Sequence, residues 1–239
     1  MTSSTPAPRK ASSLTERRKA ATRMEIARAA AGLFVTQGLR ATRAEDIAQA
    51  AGIAPRTFYR YFATKEEAVA PLYAEGAQRW TDAVREAPAG LPVIPALAHA
   101  VRHTFIPSAG VSAASWQWAR TLIRLAGTDP AVRKVWAEEC QAAERTLAEV
   151  LAARTAPRTG DDNVAPTAAV SAGTVATTVT TAISPELRFA AAVASAAVRV
   201  AVEAWAIGEA RAEGPEGPVA LALRNLATLR DFTWETGGV

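Results

Sequence analysis

Two histidines, three tyrosines and one cysteine stand in a chain of 239 residues, and each scarcity removes a class of function. A lone thiol, Cys140, forms no internal disulfide and no cysteine-based zinc cluster. In a helical stretch it reads as a small packing residue rather than a nucleophile. His99 and His103 lie four apart, a spacing that chelates metals when further ligands join them. No H-E-x-x-H arrangement accompanies them, so neither a metal nor any other cofactor is expected. G-x-S-x-G, P-loop and G-x-G-x-x-G patterns are all missing, and so is a Cys/His nucleophile pair, so no enzymatic activity is expected. The longest uncharged stretch, 163–185, holds six threonines and is too polar to span a bilayer. Residues 1–13 lack the apolar segment of a secretory signal, which makes the cytoplasm the expected location and a membrane partner unexpected.

What is present is an ordinary globular composition. Hydrophobic residues make up 49% and charged residues 21%, enough apolar material for a real core. The net charge of +4 hides a split. Residues 1–65 carry twelve basic and four acidic residues, a surplus of +8, while 66–239 carry fifteen basic and nineteen acidic, a deficit of −4. A basic quarter joined to an acidic remainder suggests one module for a polyanion and another for something else.

The punctuation is helical throughout. Residues 1–13, rich in Ser, Thr, Pro and Ala, read as a flexible arm. Ser13 with Glu16, Thr42 with Glu45, and Thr64 with Glu67 each have capping-box spacing and predict three helix starts. Gly52-Ile53-Ala54-Pro55 predicts a fourth, with a turn glycine and a proline at the first helical position. Helices are expected at Leu14–Gln37 (closed by Gly38), Arg43–Ala51, Pro55–Phe62 and Lys65–Arg85. Further helices are expected near 93–106, 112–126, 130–153, 185–211 and 217–234, giving an all-α chain of about nine. The segment 155–184 fits none of these, and a loop of that length is normally functional or disordered.

Two short helices joined by a glycine turn, after a longer one, form a helix-turn-helix pattern whose last helix enters the DNA major groove. The third helix supports this. Phe58 and Phe62, four apart, share a packing face with Pro55, while Arg56, Thr57, Arg60 and Tyr61 spread over the other side and Tyr59 lies at the rim. Arginines, a threonine and a tyrosine suit base edges and phosphates, with Arg56 and Arg60 the base-reading candidates. Lys65 is locally unfavourable, since a cation in a first helical turn opposes the macrodipole by about 0.3–1 kcal/mol. A phosphate approaching that helix end would account for it.

These residues resemble the DNA-binding domain of the TetR family of bacterial transcriptional repressors. The likeness lies in I-A-R-A-A-A-G-L-F-V-T-Q-G from Ile26, T-R-A-E-D-I-A-Q-A-A-G-I-A from Thr42, and P-R-T-F-Y-R-Y-F-A-T-K-E-E-A from Pro55. Arg43 stands where the family often has a second Thr, and Tyr61 where it has His. The resemblance implies that Thr42, Arg43, Pro55, Arg56, Thr57, Tyr59, Tyr61 and Lys65 face DNA. It implies an all-helical homodimer bound to a palindromic double-stranded operator and released by a small ligand in the C-terminal domain. The domains expected are the arm 1–13, a DNA-binding domain 14–64, and a ligand-binding and dimerisation domain 65–239. Control by a protein partner, or by no ligand, is an alternative that leaves the same residues in place.

In the C-terminal part, 187–207 carries only Arg188, Arg199 and Glu203 as charges and reads as a helix buried on more than one side. With the segment from Val219 it is expected to build a four-helix dimer bundle through Ala194, Val198, Val202, Trp205, Val219, Leu223 and Leu226. Trp80, His99, His103, Phe105, Trp116, Trp118 and Trp136 are the expected lining of a mostly apolar pocket. The run W-A-R-T-L-I-R-L from Trp118, then T-D-P-A-V-R and Trp205, resembles a TetR subgroup of GC-rich actinobacteria. That resemblance implies a small hydrophobic or acyl-CoA-like ligand.

Overall fold

Proline opens many of the helices. It occupies the first or second position of five of them, where its missing N–H costs nothing. A computed structural model describes residues 13–105, 113–156 and 183–230, and among these every regular element is helical. The order is α1 (Leu14–Thr36), α2 (Ala44–Ala50), α3 (Pro55–Tyr61), one 3-10 turn (Glu67–Val69), α4 (Ala70–Glu86), α5 (Val93–Phe105), α6 (Ala113–Thr128), α7 (Pro130–Thr155), α8 (Pro185–Ile207) and α9 (Pro218–Thr228). Most of the expected 1–13 arm and of the 155–184 segment lies outside the described residues.

The caps fall close to expectation, with two shifts. Ser13 accepts from the Glu16 amide at 3.2 Å and opens α1. At α2 the reciprocal contact sits one residue later than Thr42–Glu45: the Arg43 amide donates to Asp46 Oδ2 at 2.8 Å. The third signal is real, since Thr64 Oγ1 accepts from the Glu67 amide and Glu67 Oε2 accepts from the Ala63 amide. It opens the 3-10 turn, however, and α4 begins only at Ala70. Lys65 therefore precedes the helix instead of occupying its first turn.

Two hydrophobic cores result. The first packs α1, α2 and α3 around Ile26, Phe34, Ile47, Phe58 and Phe62. It extends past residue 64, because Tyr73 of α4, Leu122 and Ala126 of α6, and Val132 and Val135 of α7 close its underside. Tyr73 Oη donates to the Leu122 carbonyl at 2.7 Å, and burial pushes this phenol well up. The second core lies among α4 to α9 and is rich in small residues, including Ala100, Ala148, Ala190, Ala191, Ala194 and Ala201. Trp136 touches both cores: its ring meets Tyr73 at 5.0 Å, and its Nε1 donates to Glu203 of α8 at 2.8 Å.

Long-range arginines hold the helix ends. Arg124 of α6 donates to the Ala206 and Gly208 carbonyls at 2.5 and 2.7 Å, satisfying acceptors that the end of α8 leaves open. Arg154 at the end of α7 does the same for Ala87 and Pro88 in the α4–α5 turn. By length and composition α8 is apolar enough to cross a membrane, but here it packs against α6, α7 and α9.

Candidate nucleic-acid interface

The interface is built on a turn that only a glycine tolerates well. Gly52 has φ +67°, the left-handed region where a Cβ is strained. That kink lets the Ile53 amide donate back to the Ala48 carbonyl at 2.9 Å, which ends α2 and redirects the chain. Pro55 then starts α3. Phe58 is fully buried against Ile47, and Phe62 sits beside it at 5.8 Å between ring centres. With that stripe inward, the pitch of the helix leaves Pro55, Arg56, Tyr59 and Arg60 exposed and Thr57 half-buried.

Arg43 is exposed at the start of α2, on the approach to the same helix pair. Tyr59, 52% exposed, donates its hydroxyl to Glu45 Oε1 at 3.3 Å. Partial burial, with the Glu45 carboxylate adding to it, pushes this phenol up, so it remains a donor. Arg60 lies over the Tyr61 ring at 5.4 Å. This face carries flexible cations and hydroxyl donors on a rigidly anchored helix, which is the chemistry of base-edge and phosphate contact.

Two residues expected on this face lie elsewhere. Thr42 is 1% exposed, and its hydroxyl donates to the Gly38 carbonyl at 2.9 Å. It pins the loop after α1. Lys65 Nζ donates to the Leu39 and Thr42 carbonyls at 2.7 and 2.8 Å, with Glu66 4.0 Å away. Two of its three donors are thus spent holding that same loop. Tyr61 is half-buried, and its carbonyl accepts from Arg23 Nη1 at 2.9 Å. Arg23 itself was not expected here; its guanidinium also lies 4.5 Å above the Phe62 ring. No local pattern marks it, because only the packing of α1 behind α3 brings the two together.

In the C-terminal part the expected residues divide. Trp80, Phe105 and Trp116 join the second core, Trp118 the first, and Trp136 both. His99 and His103 stack at 4.9 Å on the outer side of α5, with His103 exposed. They belong to neither core, and no described group of three His, Cys, Asp or Glu residues is placed to hold a metal. Among the clefts on the described surface are two of about 380 Å³. One lies between α1, α4 and α7 beside Arg23 and Glu139, the other beside Arg154 at the end of α7. Neither is lined by the expected aromatic residues.

Most of the expected dimer residues turn inward. Ala194, Val198, Val202, Trp205 and Leu226 are buried in their own chain, and Val219 and Leu223 are half-buried against the same core. A helix apolar on every side does not declare which side its own chain covers. The apolar residues that α8 leaves outside are Phe189, Val200 and Ile207, exposed by 61%, 49% and 75%.

Comparison with known proteins agrees with this geometry. Residues 26–70 match the family described as bacterial regulatory proteins, tetR family. The HTH-type transcriptional regulator TcmR of Streptomyces glaucescens is 30% identical over 152 residues, 62% of this chain and 67% of its own length. The HTH-type transcriptional repressor KstR2 of Mycobacterium tuberculosis is 48% identical over 50 residues, 21% of this chain and 25% of its own. Among solved structures, a TetR-family regulator from Rhodococcus sp. aligns with a TM-score of 0.52 at 18% identity, covering 87% of this chain and 98% of its own. Another from Mesorhizobium loti aligns with a TM-score of 0.50 at 18% identity, covering 88% and 96%. The chain belongs to the TetR family of bacterial transcriptional regulators.

Proposed function

We propose that this regulator is a cytoplasmic repressor that binds a palindromic operator as a homodimer and is released by a small apolar ligand held in its C-terminal domain. The observation that carries the reading is the exposed face of Arg56, Tyr59 and Arg60 on a helix anchored by the fully buried Phe58. Arg56 is the base reader, bidentate to guanine, and Arg43 and Arg60 meet phosphates or base edges. Thr42 and Lys65 act through the loop they hold.

A dimer must place two α3 helices about 34–36 Å apart to read successive major grooves. The stripe Phe189, Val193, Ala196, Val200 and Ile207 on α8 supplies a self-complementary surface for pairing with a second copy. A ligand then acts only by its different affinity for two head spacings.

Gel-shift titration against the DNA upstream of the protein's own gene tests this. Specific, salt-sensitive binding to a site with two-fold symmetry is expected, and Arg56→Ala should relax preference at one position per half-site, at about 1–3 kcal/mol per contact. Binding no stronger than to unrelated DNA of equal length would remove the repressor reading.

A further inference from the structure

Helical threonines in this protein commonly return the hydroxyl to a carbonyl of the preceding turn. Thr22, Thr36, Thr121, Thr128, Thr146 and Thr155 each turn the hydroxyl back to the carbonyl four residues earlier. Thr104, near the end of α5, is 9% exposed and its Oγ1 meets no partner, whereas the still deeper Thr81 donates to the Gln78 carbonyl at 3.0 Å. The tryptophans show the same contrast. Trp136 Nε1 donates to Glu203, and Trp205 Nε1 to the Ala210 and Arg211 carbonyls. Trp116 Nε1, on a residue 8% exposed, donates to nothing. One turn further along α6, Arg120 donates through Nη2 to the Ala210 carbonyl and leaves a buried Nε without a partner.

Trp116 and Arg120 share one neighbourhood, and Thr104 precedes Phe105 at its edge. Trp116 meets Trp205 edge-on at 5.1 Å, and the Arg120 guanidinium lies 4.2 Å above that same Trp205 ring. Phe105, next to Thr104 in the chain, meets Trp116 at 5.9 Å. The charge there is one-sided. Burial, then the like charge of Arg124, presses the Arg120 guanidinium down, and Glu209, which opposes this, is spent on Arg124 at 2.6 Å. Buried donors without acceptors are costly and rare. Three of them around aromatic rings, one on a cation, have the complement of an anionic oxygen attached to a flat apolar body.

We propose that Thr104, Trp116 and Arg120 form the polar end of the regulator's ligand site, and that its ligand is a flat, apolar acid. The inference rests on the reading of the C-terminal domain as a ligand sensor and names the ligand class. The two clefts described above do not reach these side chains, and a local parting of α5 and α6 to admit the ligand is part of the proposal. The far end of α6 carries Leu122 and Ala126 in the core beneath the DNA-binding head. A ligand that favours the parted arrangement therefore displaces a helix on which the head is seated.

The test uses the full-length protein and a pair of fluorescent probes with the same ring system, 8-anilinonaphthalene-1-sulfonate and the uncharged N-phenyl-1-naphthylamine. One sulfonate probe per chain should bind about tenfold or more tighter than its neutral analogue, the scale of a charged hydrogen bond. Arg120→Gln should abolish the preference. Thr104→Val, nearly isosteric, should weaken the sulfonate severalfold while raising the Tm, because an unsatisfied buried hydroxyl has gone. A residue with a purely structural role would move both in the same direction. Trp116→Phe gives a second case if Arg120→Gln fails to fold. Equal affinity for the two probes, no sulfonate binding, or a preference that survives both Arg120→Gln and Trp116→Phe overturns the proposal. Intact operator binding in any of these cases would leave the repressor reading standing, whereas loss of specific DNA binding by the wild type would overturn that reading instead.

Discussion

The DNA-binding head and the helical body beyond it are packed from different materials. In the head, α2 and α3 have seven residues each and hold their places through a few large side chains, Phe34, Ile47, Phe58 and Phe62. In the body, helices of up to 26 residues approach one another closely over alanines, with tryptophans at the seams. Large anchors in a small core fix one arrangement, because displacing any of them opens a cavity. Small residues along long helices present fewer interlocking knobs and leave room for helices to shift. One end is thus suited to hold a geometry, the other to exchange one for another.

That contrast is easiest to break at its strongest point. Phe58→Ala should cost about 3–5 kcal/mol in denaturant unfolding and abolish operator binding while leaving the helical content of α4 to α9 largely in place. If the whole chain unfolds in one transition, the head and body share a single cooperative unit. Next in size, Val200→Asp should turn a dimer into a monomer in sedimentation analysis and weaken operator binding at least tenfold without lowering the Tm of the protomer. A dimer that persists would move the interface off the exposed face of α8.

Gly52→Ala probes the head's turn instead of its core. Its φ of +67° should make the substitution cost about 1–2 kcal/mol, and DNA affinity should fall with it, read by thermal unfolding and gel shift on one preparation. The smallest effect expected is that of Lys65→Ala. It should lower the Tm by a few degrees and leave the salt dependence of DNA binding unaltered, because the ammonium already donates to two carbonyls. A slope flattened by about one unit would return Lys65 to the phosphate contacts.

The sequence discloses these two regions unequally, for a physical reason. The head's determinants are local: Pro55, Gly52, the Thr64–Glu67 pair and the Phe58/Phe62 spacing act within a few residues, and the structure realises each of them. Apart from Thr42, which bonds Gly38 four residues back, its misplacements are long-range. Lys65 finds its partners 26 and 23 residues away, and Arg23 reaches Tyr61 across 38. In the body, nearly every outcome is long-range. The composition of α8 shows that it is buried on several sides but not which side α6, α7 and α9 cover, so its inward residues were expected to pair with a partner. Cys140 is half-buried, and its thiol is pushed up to about 12, chiefly by burial, as suits the packing role expected of it.

The Lys65 clasp also sets the order in which a disturbance travels. The chain leaves the head through residues 63–69, and Lys65 ties that exit to the 39–42 loop, next to Arg43 at the start of α2. A pull arriving along α4 therefore reaches the edge of the head before it reaches α3, whose end is separately tethered by Arg23. Grip and discrimination would be lost in sequence: first the backbone contacts that fix position on the duplex, then the contacts that recognise bases. A partly released regulator would still prefer its own site while sliding from it more readily.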